Sequence, residues 1–532
     1  MTLKKRLTTI LVIALCVSGI YGVGKLGITV QHNEETEIED DSVFGHRETI
    51  YLWYTDEALT DYLSSVAVSY SDYQDDVRVV PVYTSGREYL ETINQASLHE
   101  EELPDLYIVS NDSLEKAYLA GLASEIKLPE GVLSMDNFFP ETAVNAVTYH
   151  DKQIGYPFYF ETSCFLYNET YLEDWARAQI EAENDVQMAE EAQAQLESGG
   201  EQAQAEGDGT EGGTSVSEEK SEENPSEDGS VISAETVETK VAEALPKTID
   251  DILAFADVYD APEQVEAVFK WDVSDIFYNY FFVGNAINVG GKCGDEADSI
   301  RIYSENAIKC MRVYQNLNQF FSIDTKEISY DDVLQDFIDG KIVYTVATTD
   351  ALSKIDAAKA EGDFVYEYGI SMMPDVSEEL SSASLSVTQC VVVNGYSVQK
   401  EMANDFAVYL TEYATDSLYA RTGKLPVYDN GGSIYSDPNK AAFLEEYTCS
   451  IPMPKMIETS NFWVELEIAF AKIWDGEDAN GDLKALSEKI MSQVVGGEYE
   501  EEYIDVPEEV VEEYEDEEIT EDEETGADDS EN

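Results

Sequence analysis

Apolar residues in this chain gather in short runs, bounded by capping and turn residues, and the period alternates between strand and helix. Thr49-Ile-Tyr-Leu-Trp-Tyr54 is a strand-length apolar run, and Thr55-Asp56 behind it supplies a cap for a helix from Glu57 onward. Val77 to Val82 predicts a second strand and Arg87 to Ala96 a helix. Leu103-Pro-Asp-Leu-Tyr-Ile-Val109 predicts a third strand that ends in Ser110-Asn111-Asp112. Asp112 and Glu115 have capping-box spacing ahead of a helix over Leu114–Ala120, which Gly121 terminates. Strands and helices alternating at this spacing predict a parallel α/β sheet.

The same texture resumes far downstream. Thr248 and Asp251 have capping-box spacing after Pro246. Asp331 to Ile338 predicts a short amphipathic helix, Gly340 a turn and Ile342 to Val346 a strand. Tyr368 to Pro374 and Cys390 to Val393 predict buried strands, and Ala403 to Tyr413 and Ser417 to Thr422 predict helices. The Pro-spaced segment Pro452 to Thr459 then enters a helix at Ser460/Asn461, good N-cap residues, with Phe462-Trp463 in its first turn.

Between these stretches, from about Glu173 to Leu245, the chain is Glu/Ala/Gln-rich and then Gly/Ser/Glu-rich. The first part is compatible with a helix, and Gly199 to Asp228 reads as disordered. No Lys or Arg follows Lys489, and the tail from 497 to 532 reads as acidic, solvated disorder. Residues 31–47 read as an acidic spacer.

Composition narrows the function classes. A hydrophobic content of 43% supports a large core, so most of the chain is globular. The formal net charge of −80 repels phosphate backbones and anionic membranes and disfavours nucleic-acid binding. Lys4-Lys5-Arg6 followed by the apolar run Leu7–Val23 makes residues 1–30 a secretory signal or a signal-anchor, which puts the body outside the cytoplasm. Ile13-Ala14-Leu15-Cys16 resembles a lipoprotein cleavage box, with Leu15 where Gly or Ala is expected. Lipidation at Cys16, cleavage near Gly19–Gly24 and retention as an anchor all remain open. Of the remaining cysteines, Cys164 and Cys390 lie in apolar runs and read as buried thiols. A bridge between Cys293 and Cys310 is left open by their spacing.

Read in order, several short motifs resemble the maltose/oligosaccharide-type extracellular solute-binding proteins of ABC importers. They are Trp53 at the end of the first strand, Pro104-Asp105 opening a strand that ends at Asp112, and Tyr156-Pro157…Glu161…Tyr167-Asn168 followed by Pro246-Lys-Thr. Gly340-Lys341, Tyr368-Gly369, Thr422-Gly423…Leu425-Pro426 and Phe462-Trp463 complete the series over about residues 48–496. The resemblance implies a two-lobed, type II periplasmic-binding-protein-like α/β fold with lobes joined by a hinge. The implied N-terminal lobe is 48–159 plus 392–430 and the C-terminal lobe 160–391 plus 431–496, with an acidic insertion at 176–245. Such an insertion costs little, because loop-closure entropy grows only logarithmically with length, so the fold should tolerate it; that it is dispensable for binding is a separate expectation.

The resemblance also implies a site. Sugars need flat aromatic faces for their CH-rich sides and carboxylates or amides for their hydroxyls. The implied ligand-binding residues are Asp112 from the first lobe, Glu161 from the crossover, Asp275, Phe277 and Tyr278 from the second lobe, and Trp463 from the late helix. Trp53 is placed either at the cleft or in the core. Val109 and Asp350 stand where maltodextrin binders carry platform tryptophans, and Ser113 replaces an arginine, which points to an oligosaccharide other than maltodextrin. The implied partners are a small-molecule carbohydrate and ABC permease subunits, with membrane contact only through the N-terminal segment and a monomeric state.

Alternatives are a binder of a non-sugar solute, or a ligand sensor without transport. A glycoside hydrolase would rest on Asp112 and Glu161, but acid pairs are plentiful in so acidic a chain. G-x-S-x-G and H-E-x-x-H are absent, and His32, His46, His99 and His150 show no ligand spacing. No enzyme, cofactor or metal is expected. Asp475 to Asp482 reads as a helix-ending turn rather than a calcium loop, since alignment on Gly481 puts Gly476 and Ser487 at ligand positions.

Overall fold

The first and third strands form because each is an apolar run that a covered sheet buries, while the second, half-buried and carrying Arg78 and Pro81, suits the sheet edge. In the computed structural model they are β1 (Glu48–Tyr54), β2 (Val77–Tyr83) and β3 (Leu106–Ser110), paired in parallel in the order β2-β1-β3. The structure describes residues 47–99, 103–127, 139–199, 232–321, 323–413, 417–428, 431, 433–459 and 461–507. The N-terminal leader, most of the acidic spacer, Cys16, residues 200–231 of the insertion and the tail from 508 lie outside them. Among the described residues no helix is long and apolar enough to cross a membrane.

Beyond β3 the sheet departs from the parallel expectation. β4 (Thr148–Tyr149) and β5 (Lys152–Gln153) make a separate small ladder, and β6 (Tyr156–Asn168) is a single long strand. Its first half pairs antiparallel with β10 (Leu385–Val393), which in turn lies antiparallel to β3. Its second half pairs with β8 (Ile342–Thr348) and β9 (Tyr368–Ser371), and β7 (Ala267–Phe269) lies parallel to β8. β11 (Leu425–Pro426) adds to β6 and β12 (Ile451–Pro452) to β10. One strand therefore carries the sheet from one half of the molecule to the other.

Two apolar clusters fill the interior. One joins Ile50, Leu52, Tyr62 and Phe158 to Phe406 and Tyr447, and continues past β6 to Leu334, Phe337, Leu352 and Ile355. The other collects Phe269, Trp271, Phe282, Tyr314, Phe470 and Trp474. Caps act as expected at several ends. Thr248 and Asp251 form a full capping box, and the Asp56 carboxylate accepts from the Ala58 N–H at 3.0 Å. Asp478 caps the helix Ala479–Val495, accepting from Gly481 N–H at 3.0 Å.

Several expectations need correction. Asp112 and Glu115 form no capping box: the cap residue is Ser113, without a side-chain bond. Glu115 instead accepts from the Tyr149 hydroxyl at 3.0 Å and the Ile457 N–H at 2.6 Å. Asn461 caps the helix Phe462–Trp474 by position only, with no side-chain bond. Cys293 and Cys310 are both free thiols.

The first part of the insertion is helical, a further helix precedes Pro246, and the start of the tail is more folded than its composition suggests. A helix runs Glu169–Gly199 and another Ala234–Ala244; Ile180, Val237 and Val241 are buried, and Lys240 pairs with Glu183 at 2.9 Å. Val237 and Val241 stand one helical turn apart, an apolar stripe hidden in an acidic stretch. A deletion within the insertion that spares this packing leaves Ile180, Val237 and Val241 in place. In the tail, Val506 is buried, Asn480 donates to the Ile504 carbonyl at 2.9 Å, and the Arg312 guanidinium donates to the Val506 and Pro507 carbonyls at 3.0 and 2.9 Å. A few apolar side chains and satisfied backbone carbonyls outweigh the acidic composition there.

Candidate functional site

Glu161 is the one charged residue of β6, in the half that pairs with β10, opposite Val387. A carboxylate in such a strand needs a partner, and Lys424 supplies it. Gly423, at φ +71°, turns the chain so that Leu425 pairs with Phe160 and Lys424 comes alongside Glu161. The Lys424 ammonium lies 3.3 Å from Glu161 Oε1 and 3.3 Å from Asp56 Oδ2, and 5.5 Å from the Tyr159 ring centroid. Burial pulls its pKa down, but Glu161 and Asp56 outweigh that and hold it above the ordinary lysine value. The ion triad thus joins the end of β1, the crossover strand and the β11 turn.

Two residues along β6, the Ser163 hydroxyl meets the Phe277 carbonyl at 3.5 Å, and Ser163 is in register with Thr348 of β8. Asp275 caps the short helix Ile276–Asn279, accepting from the Phe277 N–H at 2.8 Å, so Phe277 and Tyr278 sit in its first turn. Tyr278 stacks on Tyr330 with centroids 4.7 Å apart and planes at 15°. The Tyr330 hydroxyl donates to Asp350 at 2.8 Å and accepts from Thr348 Oγ1 at 3.2 Å. Lys354 pairs with Asp350 at 2.9 Å and with Asp331 at 2.7 Å. Burial first, then the charges of Asp275 and Asp350, push the Tyr278 phenol above its ordinary value and keep it protonated. Trp463 is half-buried against Tyr280 at 5.6 Å, which sets it beside the same short helix.

Ser163 thus ties β6 to the turn that carries Asp275, Phe277 and Tyr278, Tyr280 ties the end of that turn to Trp463, and Glu161 lies two residues before Ser163 on the strand. Asp112 is exposed just after β3, its carboxylate accepting from the Ser110 hydroxyl. Ser110 stands opposite Gln389 of β10, which stands opposite Tyr159 of β6, so the Asp112 turn is two strands from the triad. Trp53 is 8% exposed and belongs to the first apolar cluster. Sequence reasoning missed Lys424, Asp56, Thr348 and Tyr330. The Gly423 turn was a signal for Lys424's position, but nothing local marked its two carboxylate partners.

A family model for bacterial extracellular solute-binding proteins matches residues 71–433. The chain belongs to that family. Its members bind solutes and are not enzymes. No curated protein matches the chain. Among solved structures, a cyclo/maltodextrin-binding protein complexed with maltotetraose is 18% identical, with a TM-score of 0.61 over 85% of this chain and 98% of its own. An extracellular solute-binding protein from Staphylococcus aureus in complex with maltose is 17% identical, with a TM-score of 0.59 over 84% of this chain and 98% of its own. A maltose-binding periplasmic protein from Listeria monocytogenes in complex with maltose is 18% identical, with a TM-score of 0.59 over 85% and 99%. At these identities the likeness is one of fold: this solute-binding protein has the mixed α/β periplasmic-binding-protein-like architecture.

Proposed function

We propose that this solute-binding protein captures a carbohydrate, an oligosaccharide, between two lobes that close about β6, and hands it to the membrane subunits of an ABC importer. What supports the reading is the packing of Trp463 on Tyr280 at the end of the Asp275-capped turn of Phe277 and Tyr278, with Glu161 two residues from the Ser163 that meets this turn. Aromatic faces next to carboxylates suit pyranose rings. Three neighbours in fold hold maltose or maltotetraose, which favours a sugar over other solutes. In this reading the lobes are 48–159 plus 392–430 and 160–391 plus 431–496. Trp463 is the stacking platform, Glu161, Asp112 and Asp275 bind hydroxyls, and Phe277 and Tyr278 complete the aromatic wall. Trp53, packed beneath, supports the first lobe. The N-terminal segment tethers or exports the monomeric body.

Ligand contacts to both lobes stabilise the closed form, which is the one the permease receives. The test is a thermal-shift screen against mono- and oligosaccharides, beginning with maltose and maltotriose. A bound sugar at a hundredfold excess over its dissociation constant should add about 2.7 kcal/mol of stability, and Trp463→Ala should abolish the shift. Shifts with peptides and none with any sugar would overturn the carbohydrate reading.

A further inference from the structure

Lys424 is 23% exposed, and its ammonium sits between two carboxylates from separate elements, each at 3.3 Å. Asp56 has its other oxygen committed to the Ala58 N–H, and Glu161 keeps 39% of its side chain open to solvent. The arrangement is two carboxylates against one ammonium, half-buried and over the Tyr159 ring. Lys424, on the turn before β11, thus reaches the one charged residue of the crossover strand while part of that carboxylate stays open to solvent.

We infer that Lys424 tunes the charge selectivity of the binding site: by cancelling one of the two charges of Asp56 and Glu161 it weakens the pull of these carboxylates on cationic ligands and so favours uncharged, hydroxylated ones. This rests on the carbohydrate reading. A ligand amine reaching Glu161 meets the Lys424 ammonium, a like-charge encounter, whereas a sugar hydroxyl can donate to the open part of the carboxylate without displacing the lysine. Without the ammonium, Asp56 and Glu161 become a pair of carboxylates that lack a counter-ion, and an amino sugar can supply one.

The experiment compares the wild-type protein, Lys424→Met and Lys424→Arg in calorimetric titrations with maltotriose and with fully deacetylated chitotriose, at a pH where its amines are charged. Lys424→Met keeps the length and the apolar stem over Tyr159; Lys424→Gln is the second variant if the methionine variant does not fold. The expected result is that removing the ammonium raises the affinity for deacetylated chitotriose relative to maltotriose by about tenfold or more. Lys424→Arg should keep the wild-type ratio. A folded Met or Gln variant with an unchanged ratio overturns the inference and leaves the carbohydrate reading intact where maltotriose still binds. Binding of neither sugar by wild type or variants overturns the inference, while the carbohydrate reading stands or falls with the wider thermal-shift screen.

Discussion

Replacing Trp271 with alanine should destabilise the protein by about 4 kcal/mol, within the usual range for deleting a fully buried indole from a packed core. Trp271 has no exposed surface. It stacks on Phe269 with centroids 4.5 Å apart and meets Trp474 edge-on at 5.6 Å and Phe321 at 6.2 Å. Its ring N–H donates to Asn279 Oδ1 at 2.8 Å. The consequence reaches the site, because the Asn279 amide donates to the Asp275 carbonyl at 2.7 Å and so fixes the turn that presents Asp275 and Phe277. Urea unfolding should show a lower midpoint at an unchanged slope, and ligand affinity should fall with it. A loss below about 1 kcal/mol would contradict this account of the second core.

The second large effect is a pH dependence at Lys455. This lysine is 2% exposed and lies in a joint between the helix Glu141–Val147, the loop around Cys293 and the segment after β12. Its ammonium donates to the Asn145 carbonyl at 2.9 Å and to the Cys293 carbonyl. Glycine is required opposite: a Cβ at Gly294, φ +65°, would come within 2.6 Å of Pro454 Cα. Burial lowers the Lys455 pKa from 10.5 to about 8, against the opposing pull of Cys293, Asp295, Cys390 and Glu115. Below about 8 both folded and unfolded states carry the proton, and the folded state bears the full cost of a buried ammonium. Between about 8 and 10.5 the folded amine is neutral while the unfolded one is charged. The unfolded state then binds more protons, so this residue's contribution rises with pH and is complete above 10.5. Relative to Lys455→Met, in which the other groups titrate as before, the wild type should gain on the order of 3 kcal/mol across that window. Denaturation of both proteins over the window measures it; a constant difference would show that the amine titrates alike in both states.

Much of the fold was legible because local signals agreed with the global one. The capping box at Thr248/Asp251, the turn at Gly423 and the apolar runs of β1 to β3 each encode their element within a few residues. The helix Ala234–Ala244 was hard to read because composition averages over a helix: Val237 and Val241 are two residues in a polar stretch, yet they face a core. The tail misled similarly, since Arg312, far away in sequence, supplies the donors that Val506 and Pro507 need.

The site divides along the same line. Glu161 stands out as a lone charge in an apolar strand, and Trp463 as an aromatic in a helix's first turn. Lys424 with Asp56, and Tyr330 with Tyr278, are pairings across long sequence separations that no local pattern announces. Asp112 looked like a helix cap; the short turn before Leu114 leaves it exposed and bonded to Ser110, free of the cap and open to the ligand role proposed for it.

The most direct measurement of the central claim is small-angle scattering of the protein with and without the sugar that raises its melting temperature. Capture by closure predicts a smaller radius of gyration on sugar addition, and no change in Trp463→Ala under the same conditions. Saturating sugar that leaves the radius unchanged, or a Trp463→Ala variant that binds and contracts like the wild type, would contradict it.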